Sequence, residues 1–292
     1  MKSVTLLAMG RDDDYAHDFI FRLKKSIQSN IKFLEKNNID FEYIIVDWSP
    51  IDERYLYKNE EIKDLLSDKR IKNIVVDKSI SINDGLNPKV VYEYFAKNIG
   101  IRAASKDYVF VINSDIILPQ SMWNEVIKVL QGELNTKNFF RPQSRTNVSF
   151  IDDNTCKVED EKIINNTASI DACICGAHSG DFLFVERTSL INNGKGYNEE
   201  DNGHRLSTKW QTGMDGEILW NMYNNGMRLA ILDAEYIHIK HGNAAPLSNL
   251  GTKEVDGHYR MNAHYNNRPN WGYTQYPRQT INDNTVLITA SL

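Results

Sequence analysis

Three polar clusters stand where apolar runs end. Arg11-Asp12-Asp13-Asp14 follows the run at residues 4–9, Asp47-Trp48-Ser49 follows 41–46, and Asn113-Ser114-Asp115 follows 108–112. A carboxylate at the end of a strand is a hard oxygen ligand for Mg²⁺ or Mn²⁺ and an acceptor for hydroxyl or imide donors. Each cluster also has a plainer use. Asn113-Ser114-Asp115 can be a turn, or a cap for the helix entering at Pro119. Asp12 to Asp14 can be the N-cap and first turn of a helix beginning near Ala16. His238 and His241 follow another apolar run. Residues three apart on a strand point to opposite faces, so these imidazoles share a site only if the chain turns near Lys240. Otherwise they are an ordinary hydrogen-bonded pair. Asp215 and Glu217 open a helical run, where Thr212 to Asp215 also fits a capping box.

The elements that must hold these residues alternate. Strand signals at 4–9, 41–46, 71–76 and 108–112 are separated by helical spacing over 16–35 and 90–104, and a further helix is predicted over 120–130. That order predicts an α/β fold with a mostly parallel central sheet flanked by helices. Ligands in such sheets sit beyond the carboxyl ends of the strands, so the three polar clusters are expected at one nucleotide-type site. The second half is less regular. Residues 142–179 read as strands and loops over the sheet, 182–186 as a short strand, and 213–225 as a helix. Residues 229–232 and 236–239 read as two strands. From 242 the chain is rich in Asn, Gly and aromatics and reads as an irregular extension that wraps or lids the domain. Asn98 and Arg102, four apart, share a helical face, with Lys97 expected in solvent.

Composition sets limits. The chain has 292 residues, 41% hydrophobic and 25% charged, with a net charge of −5. That is enough for a large buried core and gives no basic footprint for nucleic acid. No segment has transmembrane length and no cleavage pattern follows the N-terminal apolar run, which points to a cytoplasmic protein. Cys156, Cys173 and Cys175 are read as buried thiols in a reducing compartment, not as a zinc site.

Several stretches, taken in order, resemble the GT-A glycosyltransferases, in particular the inverting family-2-like group. They are Gly10-Arg11-Asp12-Asp13-Asp14-Tyr15, Ile45-Val46-Asp47-Trp48-Ser49-Pro50, the run from Ala96-Lys97-Asn98 through Ala104, and Ile112-Asn113-Ser114-Asp115-Ile116. Downstream come Ser179-Gly180-Asp181-Phe182, Met214-Asp215-Gly216 and Ile237-His238-Ile239-Lys240-His241, with an echo at Asn270-Trp271-Gly272. The resemblance implies a single catalytic domain over 1–292. Residues 1–118 would be the nucleotide-sugar half, 119–241 the acceptor and catalytic half, and 242–292 a capping extension. It implies transfer from a nucleotide-diphosphate sugar, a UDP-sugar first, to a glycan or other hydroxyl acceptor. The pyrophosphate leaving group would be stabilised by Mn²⁺ or Mg²⁺. Asp115 takes the last position of the motif known as DxD, with Asn113 in place of its first acid, and is expected on the metal with His238 and His241. Arg11, Asp13, Asp47, Asn98, Arg102, Asn113 and Asp181 are expected to contact the donor. Asp215 matches the catalytic base, with Glu217 as its alternate. A nucleotidyltransferase is a second reading, opposed by the acid-rich, glycine-poor sequence after the first strand. A non-catalytic glycan- or nucleotide-binding protein of the same fold is a third. A homodimer is left open.

Overall fold

The computed structural model describes every residue except 14–16, 136, 152–154, 160–162, 165–178, 202–203, 206–213, 242–264 and 291–292. The first half follows the alternation written in the sequence. It runs β1 (Val4–Gly10), α1 (Phe19–Lys36), β2 (Phe41–Trp48), α2 (Lys63–Leu66), β3 (Ile71–Val76), α3 (Lys78–Asn83), α4 (Glu93–Ala103) and β4 (Tyr108–Ile112). Strands β3, β2, β1 and β4 are adjacent and parallel. Their burial is nearly continuous because helices cover both faces. Side chains alternate across β1: Val4, Leu6 and Ala8 pack with Leu23, Ile27 and Leu34 of α1, whereas Leu7 faces Phe95 and Ile99 of α4.

Beyond β4 the sheet becomes mixed. β5 (Ile116–Ile117), α5 (Gln120–Leu130) and β6 (Asn138–Phe150) follow, with β7 (Cys156–Val158) and β8 (Ile163–Ile164) paired onto β6. β9 (Phe182–Glu186) lies antiparallel between β4 and β6. β10 (Glu200–Asp201) and β11 (His204–Arg205) form a separate two-stranded ribbon. α6 (Met214–Asn224) leads to β12 (Arg228–Ile239), which pairs parallel with β6 and antiparallel with β5.

Four local expectations change. Residues 138–150 form a thirteen-residue strand inside the sheet, where strands and loops over the sheet were expected from 142 onward. Its polar run Arg141 to Asn147 hides the apolar alternation that marks a strand, yet Arg141, Ser144 and Asn147 are buried. Residues 228–239 form one strand whose register shifts between Leu232 and Glu235, where two strands were expected. The C-terminal segment adds β13 (Arg278–Asn282) and β14 (Thr285–Ile288) to the sheet edge beside β3. Helix α1 begins at Phe19, after His17 and Asp18 with positive φ, so Asp12 and Asp13 do not cap it. Asp14 lies outside the described residues, as do residues 242–264 of the expected lid.

Cys156 is exposed, not buried, because it sits on the outer strand β7. Cys173 and Cys175, and Thr212 of the capping box, lie outside the described residues. Among the described residues no helix is long and apolar enough to cross a membrane.

Candidate functional site

Pairing between strands brings the site together. The backbone after Asn113-Ser114-Asp115 turns directly into β5, which pairs His238 with Ile116. Ile239 N–H donates to the Asp115 carbonyl at 2.9 Å. The Ser114 hydroxyl donates to the Met9 carbonyl, tying the triplet to the end of β1. β12 ends at Ile239, so the chain leaves strand geometry at Lys240 and both imidazoles reach one place. His241 Nε2 lies 3.0 Å and His238 Nε2 3.9 Å from Asp115 Oδ2. One ligand atom from each of the three residues fits within 4.8 Å.

A divalent cation suits this group. Asp115 Oδ1 is buried and has no hydrogen-bond partner among the described residues. An unmatched buried carboxylate oxygen is costly unless a cation completes it. Two imidazoles and a carboxylate suit Mn²⁺ better than Mg²⁺. Burial by itself would raise the Asp115 carboxyl. The hydrogen bond from His241 and the charges of His238, His241 and Arg22 outweigh it and hold the group below its ordinary range. Burial pushes His238 down despite Asp115 and Asp181, favouring the neutral ring that binds metal.

A cavity of about 600 Å³ opens at the carboxyl ends of β1 and β4, over this group. Arg11, Asp13, Asn113, Asp115, Asp181, His238 and His241 all line it. Arg11 is buried, forks onto Asp13 Oδ2 at 2.6 and 2.8 Å, and donates to the Lys89 carbonyl at 2.9 Å. Asp181 accepts from Asn113 Nδ2 at 2.9 Å, from Arg145 at 2.7 Å and from the Tyr236 hydroxyl at 2.9 Å. The amide at position 113 therefore donates to a carboxylate that a second acid there would repel.

The remaining expected residues lie elsewhere. Asn98 is fully buried and holds Tyr197 through both its backbone N–H and carbonyl, besides donating to Glu199 at 2.8 Å. Arg102 donates to the Pro269 carbonyl at 2.8 Å, with its guanidinium 4.3 Å from the Trp271 ring centre. Asn98 thus holds residues 197–199 to α4, and Arg102 holds the C-terminal segment to it. Gly272 follows at φ +69°, where a Cβ would meet the Asn98 carbonyl oxygen at 2.8 Å. Glu217 accepts from Asn198 at 3.1 Å and does not line the cavity.

Asp215 does not line the cavity and sits, partly buried, in a charge cluster with Lys97 and Glu93. Its Oδ2 accepts from the Tyr94 hydroxyl at 3.0 Å, and Oδ1 lies 3.7 Å from Lys97 Nζ. Lys97, expected in solvent, is fully buried. It reaches Glu93 at 2.5 Å and the Gly180 carbonyl at 3.2 Å. Burial alone would lower its ammonium, but the charge of Glu93, with Tyr197 and Asp215 behind it, holds it above its ordinary value. Gly180 permits this approach, since a Cβ there would lie 2.6 Å from Asp215 Oδ2. Glu93, which does line the cavity, Arg145, Asn147 and Arg22 carried no signal in the sequence. A lone Glu at a helix start and polar residues on an unrecognised strand look like surface.

Asp47 is buried at the end of β2 and does not line the cavity. Its Oδ2 accepts from Leu56 N–H at 2.8 Å, while Oδ1 has no partner among the described residues. Burial raises its carboxyl to about 8, against the Leu56 hydrogen bond and with help from Asp12. A carboxyl raised on folding keeps a proton that the unfolded chain gives up. Its contribution is therefore full below pH 3.8 and lost as pH rises towards 8. Asp47→Asn is expected to gain stability over the wild type as pH goes from 5 to 8, by at most about 4 kcal/mol at roughly 1.4 kcal/mol per unit. Urea unfolding at the two pH values checks this, and equal pH slopes in both proteins would refute it.

No protein-family model and no curated protein matches the sequence. Solved structures do match. The first 349 residues of S. aureus TarS, in complex with UDP-GlcNAc, superpose with a TM-score of 0.54 at 14% identity, over 86% of this chain and 62% of that one. A longer TarS structure gives 0.50 at 12% identity, over 82% of this chain and 37% of that one. The chain thus spans less than two thirds of the TarS chains it matches. With its mixed sheet, its cavity at the strand ends and its aspartate there, the chain has the GT-A-like fold of the glycosyltransferase TarS.

Proposed function

We propose that this chain is a metal-dependent glycosyltransferase that moves a sugar from a nucleotide-diphosphate sugar, UDP-linked first, to a hydroxyl acceptor with inversion. The observation that carries the reading is the Asp115, His238 and His241 group at the floor of the cavity. Asp115, His238 and His241 would hold Mn²⁺, which would supply positive charge to a diphosphate leaving group. The chain's own residues do the rest. Arg11 and Lys240 line the cavity and offer cations to phosphate oxygens. Asp181, clamped by three donors, presents a fixed edge to sugar hydroxyls. Asp215 takes the proton of the attacking hydroxyl, while Tyr94 and Lys97 hold its carboxylate in place. The UDP preference is supported by the UDP-GlcNAc bound in the TarS neighbour.

A thermal-shift screen of nucleotide sugars with and without Mn²⁺ tests the class. A donor at one hundred times its Kd adds about 2.7 kcal/mol, enough to raise the melting temperature by several degrees. Stabilisation is expected only when donor and Mn²⁺ are both present. If no nucleotide sugar shifts the transition, the reading fails. If one binds and no transfer occurs to any hydroxyl acceptor tried, a non-catalytic binding protein takes its place.

A further inference from the structure

We propose that Asn147 and Arg145, on β6, are positioning residues that fix the His238 ring in the tautomer whose lone pair is on Nε2, the nitrogen that faces Asp115. This rests on the metal site proposed above, but its central claim concerns the ring itself. The register of β6 and β12 places Arg145 beside Tyr236 and Asn147 beside His238. Paired residues, and residues two apart on a strand, share a face, so these four side chains form a patch on one side of the sheet.

The hydrogen bonds within that patch can be assigned by elimination. Arg145 Nε lies 2.9 Å from Asn147 Oδ1. A guanidinium only donates, so the amide must turn its oxygen, not its nitrogen, towards Arg145. The same oxygen lies 3.0 Å from His238 Nδ1. An amide oxygen only accepts, so Nδ1 carries the proton. The lone pair of the neutral ring is then on Nε2, the atom that lies 3.9 Å from Asp115 Oδ2. Arg145 is itself fixed, because its NH1 donates to Asp181 Oδ2 at 2.7 Å, beside the Tyr236 hydroxyl. The chain Asp181, Arg145, Asn147, His238 thus converts the direction of one guanidinium into the direction of one metal-binding lone pair. It also ties a residue proposed to hold sugar hydroxyls to a residue proposed to hold the metal.

The test uses the full chain at pH 8 and reads two quantities. One is the ¹⁵N spectrum of the His238 ring in metal-free protein. The other is Mn²⁺ affinity by electron paramagnetic resonance. Wild type is expected to show protonated Nδ1 and bare Nε2, and to bind Mn²⁺. Asn147→Leu is expected to lose the fixed tautomer and to bind Mn²⁺ about 10- to 100-fold more weakly. Asn147→Asp keeps an acceptor for the same two donors and is expected to restore both readings, which separates positioning from general damage. Arg145→Met is expected to weaken both less than Asn147→Leu. A wild-type-like ring spectrum and Mn²⁺ affinity in Asn147→Leu overturn the proposal and leave the metal site standing. A wild type that binds no Mn²⁺ overturns the metal site, and with it the ligand role of His238.

Discussion

Asp115→Ala is expected to abolish Mn²⁺-dependent nucleotide binding, with a loss of well over about 100-fold, beyond the range for residues that only support a ligand. The reason is charge. Asp115 is the only anion in the group, and its removal leaves two imidazoles, of which burial keeps His238 below its ordinary pKa. Neutral nitrogens alone do not offset the charge of a divalent cation held in a buried place. The substitution removes the 3.0 Å hydrogen bond from His241 and the long 3.9 Å ion pair with Arg22, so a melting curve of the variant is read beside binding, and a cooperative transition is expected. Asp115→Asn keeps the shape and removes the charge, and should fail to the same degree. Calorimetry with UDP and Mn²⁺ decides the point. Equal UDP affinity in wild type and variant would sink the metal assignment, whatever the activity.

Asp215→Asn is expected to bind donor as the wild type does and to lose transfer by about 10²- to 10⁴-fold, the span seen for a positioned general base. The substitution retains an oxygen for the Tyr94 hydroxyl and removes the basic group. Lys97 keeps Glu93 as its closer partner at 2.5 Å, so the buried ammonium is not stranded. Single-turnover measurement separates the two readouts, with unchanged donor affinity and a reduced chemical step as the expected pair. Full activity would move the role to Glu93, which lines the cavity and shares Lys97 with Asp215, or to Glu217. A parallel loss of donor affinity would instead show that the cluster around Lys97 shapes the donor site.

The structure also explains what the sequence could and could not convey. Apolar runs and helical spacing were enough for β1 to β4 and for α1 and α4, though not for the short α2 and α3, because a parallel sheet covered on both faces needs continuous apolar strands. The polar residues at the ends of β1 and β4 were also legible, since strand ends in such sheets face a common crevice. That reasoning reached Arg11, Asp13, Asn113 and Asp115. Asp47 also stands at a strand end but does not line the cavity, being turned into the interior and held by Leu56. Asn98 and Arg102 also lie outside the cavity lining, because helical spacing shows which residues share a face but not what that face meets. That reasoning put the β6 region over the sheet without fixing a strand there, since a buried strand whose polar groups satisfy one another carries no apolar alternation.

By itself, then, the sequence determined the α/β order, the strand ends that carry acids, and the residue types able to hold a cation. Only the tertiary structure decided which of them meet. The pairing of β5 with β12 brings residues more than a hundred positions apart within ligand distance, and the end of β12 at Ile239 lets both histidines turn to one side. Those facts depend on which strands lie side by side, a non-local choice that local periodicity does not encode.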